Sequence, residues 1–165
     1  MDALDCLKTR RSVRAYKPGS VDRAVIEEIV DCGRLAATAM NKQPWLFIAV
    51  TDRDALKRLA AITDHGKFTA DASCCIAVFC EKVKYYIEDG AAATQNMLLA
   101  ARAHDLASCW VAGDKKEYCP QIRDLLKVPE THTLVSLVAI GHPEYVPHPE
   151  KKPLSAVLYW EEYMG

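Results

Sequence analysis

The sequence predicts one domain of mixed α and β structure, with a sheet covered by helices on both faces. Three observations point there. Strand-like and helix-like patterns interleave along all 165 residues, with no internal repeat, linker or low-complexity segment to divide them. The run Cys74-Cys75-Ile76-Ala77-Val78-Phe79-Cys80 is continuously apolar, as a strand is when both faces of its sheet are covered. Residues 85–104 are small or apolar nearly all round, the mark of a deeply buried helix.

Each element follows in order. Residues 2–9 read as a short helix with Leu4 and Leu7 on one side. Pro18-Gly19-Ser20 makes a turn, and Asp22 opens a second helix whose apolar stripe is Val25, Ile26, Ile29, Val30 and Gly33. Pro44 forbids helix, so Asn41 and Gln43 lie in a loop leading into the strand 46–50. A helix over 54–62 turns Leu56, Leu59 and Ala60 inward, and Thr63–Lys67 breaks it. After the strand 74–80 comes the long helix, in which Gly90, Ala93, Thr94 and Met97 would let another helix approach, including one from a second subunit. A strand at 108–113 ends in Ala112-Gly113, where a ligand could approach the backbone as readily as a simple turn could form. A helix over 118–127 precedes the strand 133–140, which stops at Gly141-His142-Pro143. The tail carries prolines, Lys151-Lys152 and a cluster of aromatics that suggests docking, on this chain or on a neighbour.

Composition excludes several classes. The net charge of −1 gives no global attraction to nucleic acid or anionic membrane, and no apolar segment is long enough to span a bilayer. Met1-Asp2-Ala3-Leu4-Asp5 is no secretion leader. The seven cysteines include no C-x-x-C pair, so they are expected to be buried, reduced thiols of a cytoplasmic protein rather than metal ligands. The vicinal Cys74 and Cys75 would point to opposite faces of their strand, which is poor geometry for a disulfide.

One stretch is not ordinary. Five of the 21 basic residues fall between Lys8 and Lys17, with no acid among them. If the chain runs extended there, Arg10, Ser12, Arg14 and Tyr16 share one face while Val13 and Ala15 enter the core. Two guanidinium forks flanking a hydroxyl suit a phosphate. A solvated basic face and a nucleic-acid arm are the competing uses. Asn41 and Gln43, with donors and acceptors, could read the edge of a heterocycle or simply serve the turn.

Four segments, in order, resemble the FMN-dependent nitroreductases in their short single-domain form. They are Arg10-Arg11-Ser12-Val13-Arg14, Asn41-Lys42-Gln43-Pro44-Trp45, the helix Gln95–Ala101 followed by Cys109-Trp110, and Ile140-Gly141-His142-Pro143 with a basic pair behind it. The resemblance spans nearly the whole chain. It implies an α+β fold, a mostly antiparallel sheet wrapped by helices, in an intertwined homodimer with FMN at the subunit interface. By position it implies that Arg10, Arg11 and Ser12 hold the phosphate and ribityl chain, with charge added by Lys151 or Lys152. Arg14 would lie near the N1/O2 edge of the flavin ring. Asn41 and Gln43 would contact its polar edge or the ribityl hydroxyls, and Thr38 would reach it from the partner chain. Ala112 and Gly113 would approach the ring, and Gly141 and His142 belong to the same binding set.

The implied activity is oxidation of NADH or NADPH and reduction of small electrophiles such as nitroaromatics or quinones, in ping-pong fashion. The flavin N5 carries the chemistry and Arg14 supports it electrostatically, so no separate catalytic residue is expected. The rival reading is an FMN carrier, sensor or reservoir without turnover. Two departures stand out. Where the family commonly has Pro-Ser, this chain has Ala37-Thr38, which keeps a hydroxyl and loses a stiff turn. The helical insertion that covers the flavin in longer relatives is missing, so the pocket is expected to be more open.

Overall fold

The computed structural model describes residues 2–163. A five-stranded antiparallel sheet is flanked by helices on both faces, which gives the α+β architecture. Its strands are β1 (Tyr16–Lys17), β2 (Trp45–Val50), β3 (Cys74–Glu81), β4 (Ala107–Ala112) and β5 (His132–Pro143). β5 pairs with β1, β3 and β4, and β3 pairs in turn with β2. The helices are α1 (Ala3–Thr9), α2 (Arg23–Arg34), α3 (Arg53–Ile62), α4 (Tyr86–Ala103) and α5 (Cys119–Leu125).

The apolar run of β3 divides by alternation. Cys74, Ile76, Val78 and Cys80 meet α2 and α4, whereas Cys75, Ala77 and Phe79 meet α3 and α5. A bulge where Val78 faces Ser136 and Phe79 faces Leu134 reverses the alternation of β5. Val135, Val138 and Ile140 therefore share one core, while Leu134 and Leu137 enter the other. All seven cysteines are free thiols. No described helix is long and apolar enough to cross a membrane.

Four expectations are corrected. β5 does not stop before Gly141; it continues to Pro143 because Lys17 and Tyr16 pair with His142 and Pro143. α4 is not buried nearly all round: it packs against the sheet and against α2, and Ile87, Glu88 and Ala103 are exposed. A Cβ on Gly90 would lie 2.8 Å from Val135, so this glycine accommodates β5 and not another helix. Thr94 donates to the Gly90 carbonyl at 2.7 Å, and its Oγ1 lies 2.7 Å from the Ser136 hydroxyl. Met97 does meet another helix, packing on Gly33 of α2. Finally, Tyr16 does not share a face with the arginines. It is buried and donates to the carbonyls of Val13 (2.8 Å) and Ala139 (3.2 Å), because the chain bends between Ser12 and β1.

Candidate functional site

The arginine segment leaves α1 and runs beside β4. Ser12 forms a parallel bridge with Ser108, and the Val13 amide donates to the Ser108 carbonyl at 3.1 Å. Buried Val13 anchors the segment, so its neighbours are held at the edge of the sheet. Along β4, Cys109 and Val111 are buried, whereas Trp110 and Ala112 are exposed. Ser108, Trp110 and Ala112 thus line one face of the strand, over about 13 Å at about 3.3 Å per residue.

A cleft opens at each end of that face. The first, of about 340 Å³, is lined by Arg10, Arg11, Arg102, Ser108, Pro143 and His148 among others. Arg102 donates to Thr9 Oγ1 at 3.1 Å and pairs with Asp105 at 3.2 Å. Arg10 and Arg11 make no ion pair among the described residues. Arg11 donates through Nη1 to the carbonyls of Lys8 (2.9 Å) and Arg10 (2.8 Å), while its Nε is buried with no partner. A guanidinium with a spare buried donor, beside a second one with no described counter-ion, is suited to take an anion such as a phosphate.

The second cleft, of about 220 Å³, is lined by Arg14, His65, Phe68, Trp110, Ala112 and Tyr118 among others. The Arg14 guanidinium carbon sits 5.9 Å from the centre of the Phe68 ring, which lies 6.5 Å from Tyr16. Aromatic walls beside Arg14, which has no ion pair among the described residues, suit a flat, polar ring system. Burial pushes the Cys109 thiol up, opposed by the nearby Arg14, Ser12 and Arg10, so the cysteine behind the segment is no ready nucleophile. Burial likewise pushes Tyr118 up to about 12, and its hydroxyl donates to the Ala112 carbonyl.

Of the residues singled out by sequence, Arg10 and Arg11 meet in the first cleft and Arg14 and Ala112 in the second, with Ser12 between them. The others lie elsewhere. Gly113 donates to the Val135 carbonyl at 3.1 Å, and a Cβ there would come within 2.6 Å of the Leu134 carbonyl oxygen. Its bareness admits the close approach of β5. A Cβ on Gly141 would meet Tyr16 at 2.9 Å, and His142 Nε2 lies 3.0 Å from the Ser20 carbonyl, so both hold the β1 turn in place. Lys151 and Lys152 are exposed in the tail, without an ion pair among the described residues.

Thr38, Asn41 and Gln43 form a tight turn with positive φ at Met40 (54°), Asn41 (53°) and Gln43 (49°). Gln43 Nε2 donates to Asn41 Oδ1 at 3.1 Å, and the Gln43 amide to Thr38 Oγ1 at 3.4 Å. The turn is tied to Asp89 near the start of α4, whereas the first cleft includes Arg102 near its end. From Asp89 to Arg102 the helix axis runs about 20 Å at about 1.5 Å per residue. One chain does not bring the turn and the arginines together.

Sequence reasoning missed Arg102, His148 and Phe68. Arg102 reads as an ordinary cation closing a helix and His148 as a tail residue. Phe68 lies in a segment marked only as a helix break.

The nitroreductase family profile matches residues 7–78 and 81–142. The chain is 37% identical over 150 residues to a provisionally named NADH dehydrogenase/NAD(P)H nitroreductase of Archaeoglobus fulgidus, covering 85% of this chain and 86% of that one. An FMN-dependent nitroreductase structure from Clostridium difficile R20291 superposes with a TM-score of 0.91 at 25% identity, over 97% of this chain and 99% of the other. A provisionally named nitroreductase from Desulfovibrio desulfuricans, solved in complex with FMN, gives 0.84 at 28% identity over 99% and 98%.

Proposed function

The chain belongs to the nitroreductase family, and from that premise we propose that it is an FMN-dependent oxidoreductase. It takes electrons from NADH or NADPH and passes them to small electrophiles such as nitroaromatics or quinones. The observation that carries this reading is the face of β4 with unpaired guanidinium groups at both ends and aromatic walls at one. A ligand with a phosphate at one end and a flat polar ring at the other fits that face. Relatives named for FMN and NAD(P)H support the same ligand here.

Arg10 and Arg11 would hold the phosphate, assisted by Arg102, with Ser12 and Ser108 along the ribityl chain. Bound there, FMN supplies hydride acceptance and donation at N5. The chain's part is to orient the ring and bias it. Arg14, held against Phe68, would supply a fixed positive charge to offset the negative charge that a bound flavin ring gains on reduction. No acid–base pair in either cleft is needed for that task. Donor and acceptor would use one open face in turn, which gives ping-pong kinetics.

The functional unit is a homodimer in this reading, each chain one domain over residues 1–165, working in the cytoplasm. Three observations support it. The strained turn and the arginines lie toward opposite ends of α4, so a second chain would be needed to unite them on one ligand. An apolar groove of about 450 Å³, lined by Leu7, Cys32, Leu35, Asn96 and Leu99 among others, is open on the single chain. The tail aromatics do not dock on their own chain: Trp160 is 76% exposed and Tyr163 75%.

The test is direct. The purified chain should be yellow and dimeric, should release FMN on heating, and should oxidise NADH or NADPH with a quinone as acceptor. A colourless monomer that takes up no added FMN overturns the reading. A flavin-loaded dimer with no turnover on any donor leaves only a carrier role.

A further inference from the structure

We propose that Asp89 is a positioning residue for the cofactor site. Its buried carboxylate fixes the turn 38–43 through the Ala39 amide, and so shapes what one chain offers to its partner. The inference rests on the proposed function, in which that turn completes the flavin site of the other protomer.

Asp89 is only 4% exposed. Its Oδ1 accepts from the Ala39 amide at 2.9 Å, and its Oδ2 is buried with no hydrogen-bond partner among the described residues. A half-satisfied carboxylate in the interior opposes folding. Its place in the first turn of α4 suits the helix dipole, but Glu88, exposed one residue earlier, serves the dipole without burial. No described cation pairs with Asp89. The charge is held where its one hydrogen bond reaches the turn.

The turn needs such an anchor. Met40, Asn41 and Gln43 all adopt left-handed backbone, which non-glycine residues adopt rarely and keep only where their surroundings enforce it. The turn's other hydrogen bonds are local: the Asn41 amide to the Thr38 carbonyl, Lys42 to Ala39, and Gln43 to Thr38 and Asn41. Between Thr38 and Gln43, the Asp89 contact is the one described hydrogen bond to a distant part of the chain. Without it Thr38, Asn41 and Gln43 lose the frame that points them outward together, although α4 and the core remain.

The experiment measures FMN affinity by flavin fluorescence quenching, with melting temperature and solution mass taken in parallel. Asp89→Ala should stay dimeric and bind FMN about tenfold more weakly or worse, the loss expected for a charge-assisted hydrogen bond. Asp89→Asn keeps an oxygen for the Ala39 amide and should bind within about threefold of wild type. Asp89→Leu keeps the volume and replaces the Ala variant if that fails to fold. Mixed dimers then pair an Arg10→Ala chain with an Asp89→Ala chain, each carrying its own tag. If the turn acts on the partner's site, both lesions fall on one site and the other is intact, giving one tight FMN per dimer.

A mixed dimer with no tight site overturns the inference. So does an Asp89→Ala variant that melts lower yet binds FMN as wild type does, or an Asn variant as weak as the Ala variant. A wild-type chain that takes up no FMN overturns both the inference and the reading beneath it.

Discussion

Gly113→Ala separates two reasons for keeping a glycine at the end of β4. A Cβ at this position would stand 2.6 Å from the Leu134 carbonyl oxygen and 2.7 Å from both the carbonyl carbon and oxygen of Val135. All three are backbone atoms of the central strand, so no flexible side chain can yield. Overpacking of this kind costs about 1–3 kcal/mol. If β4 recedes, the 3.1 Å bond from the Gly113 amide to Val135 is lost as well, at about 0.5–1.5 kcal/mol. A total of about 1.5–4.5 kcal/mol corresponds to a fall of about 3–18 °C in melting temperature for a chain of this size. Urea and thermal unfolding, compared at equal protein concentration so that any association contributes equally, give the first readout. FMN affinity gives the second and should change no more than about threefold in the folded protein, because no ligand hydrogen bond is removed. A variant as stable as wild type with weakened FMN binding would refute this reasoning and return Gly113 to the ligand.

Arg14→Ala should slow reduction of the flavin by NADH about 100-fold or more, as loss of one preorganised donor to developing charge does. Anaerobic stopped-flow absorbance would show it, and an equal loss in FMN affinity would contradict the role. Cys32, half-buried in the apolar groove, should react with a maleimide before the fully buried Cys74, Cys75 and Cys80, although burial, Glu28 and Asp31 push its own thiol up as well. Its labelling, read by peptide mass, should slow as protein concentration rises and the groove is covered. A rate indifferent to dimer formation would place the subunit contact elsewhere. Burial raises Cys74 and Cys80 to about 12, against about 8.5 in the unfolded chain. The folded state therefore holds these protons more tightly, so their contribution is full below about pH 8.5 and is lost as pH rises toward about 12. The urea midpoint should be level from about pH 7 to 8 and fall above about pH 9.

The parts of the fold legible in the sequence are those whose burial is nearly complete on both sides. β3 could be read because every residue from Cys74 to Cys80 is apolar, and the stripe of α2 because Ile26, Ile29 and Gly33 recur at helical spacing. The arginine segment was conspicuous because five cations without an acid are unusual in a chain of net charge −1. What escaped was set by tertiary pairing. Alternation from Arg10 assumed a continuous extended chain, yet Ser12 bridges β4 while Tyr16 pairs with β5, and the bend between them sends the tyrosine ring into the core. Gly141-His142-Pro143 carries every local sign of a strand end, and only its pairing with Tyr16 and Lys17 keeps it extended. Gly113 and Gly90 illustrate the same limit: a glycine signals close approach, but the sequence does not say of what.

The length of α4 connects the fold to the proposed chemistry. Its first turn carries Asp89 and through it the strained turn at Met40, Asn41 and Gln43; its last turn carries Arg102 at the basic cleft. A rigid helix cannot shorten, and its sheet side is locked by Gly90 against Val135 and by the Thr94–Ser136 hydroxyl pair. No loop motion within one chain brings those ends together across about 20 Å. If both ends act on one ligand, a second chain has to supply one of them, and the face of α4 left open beside Leu7 and Leu35 is where it can approach. On this argument the dimer is a condition of the site and not an addition to it. Dilution below the dimer dissociation constant should therefore release FMN in step with the loss of dimer. Flavin that stays bound to monomer would break the link between helix length and function.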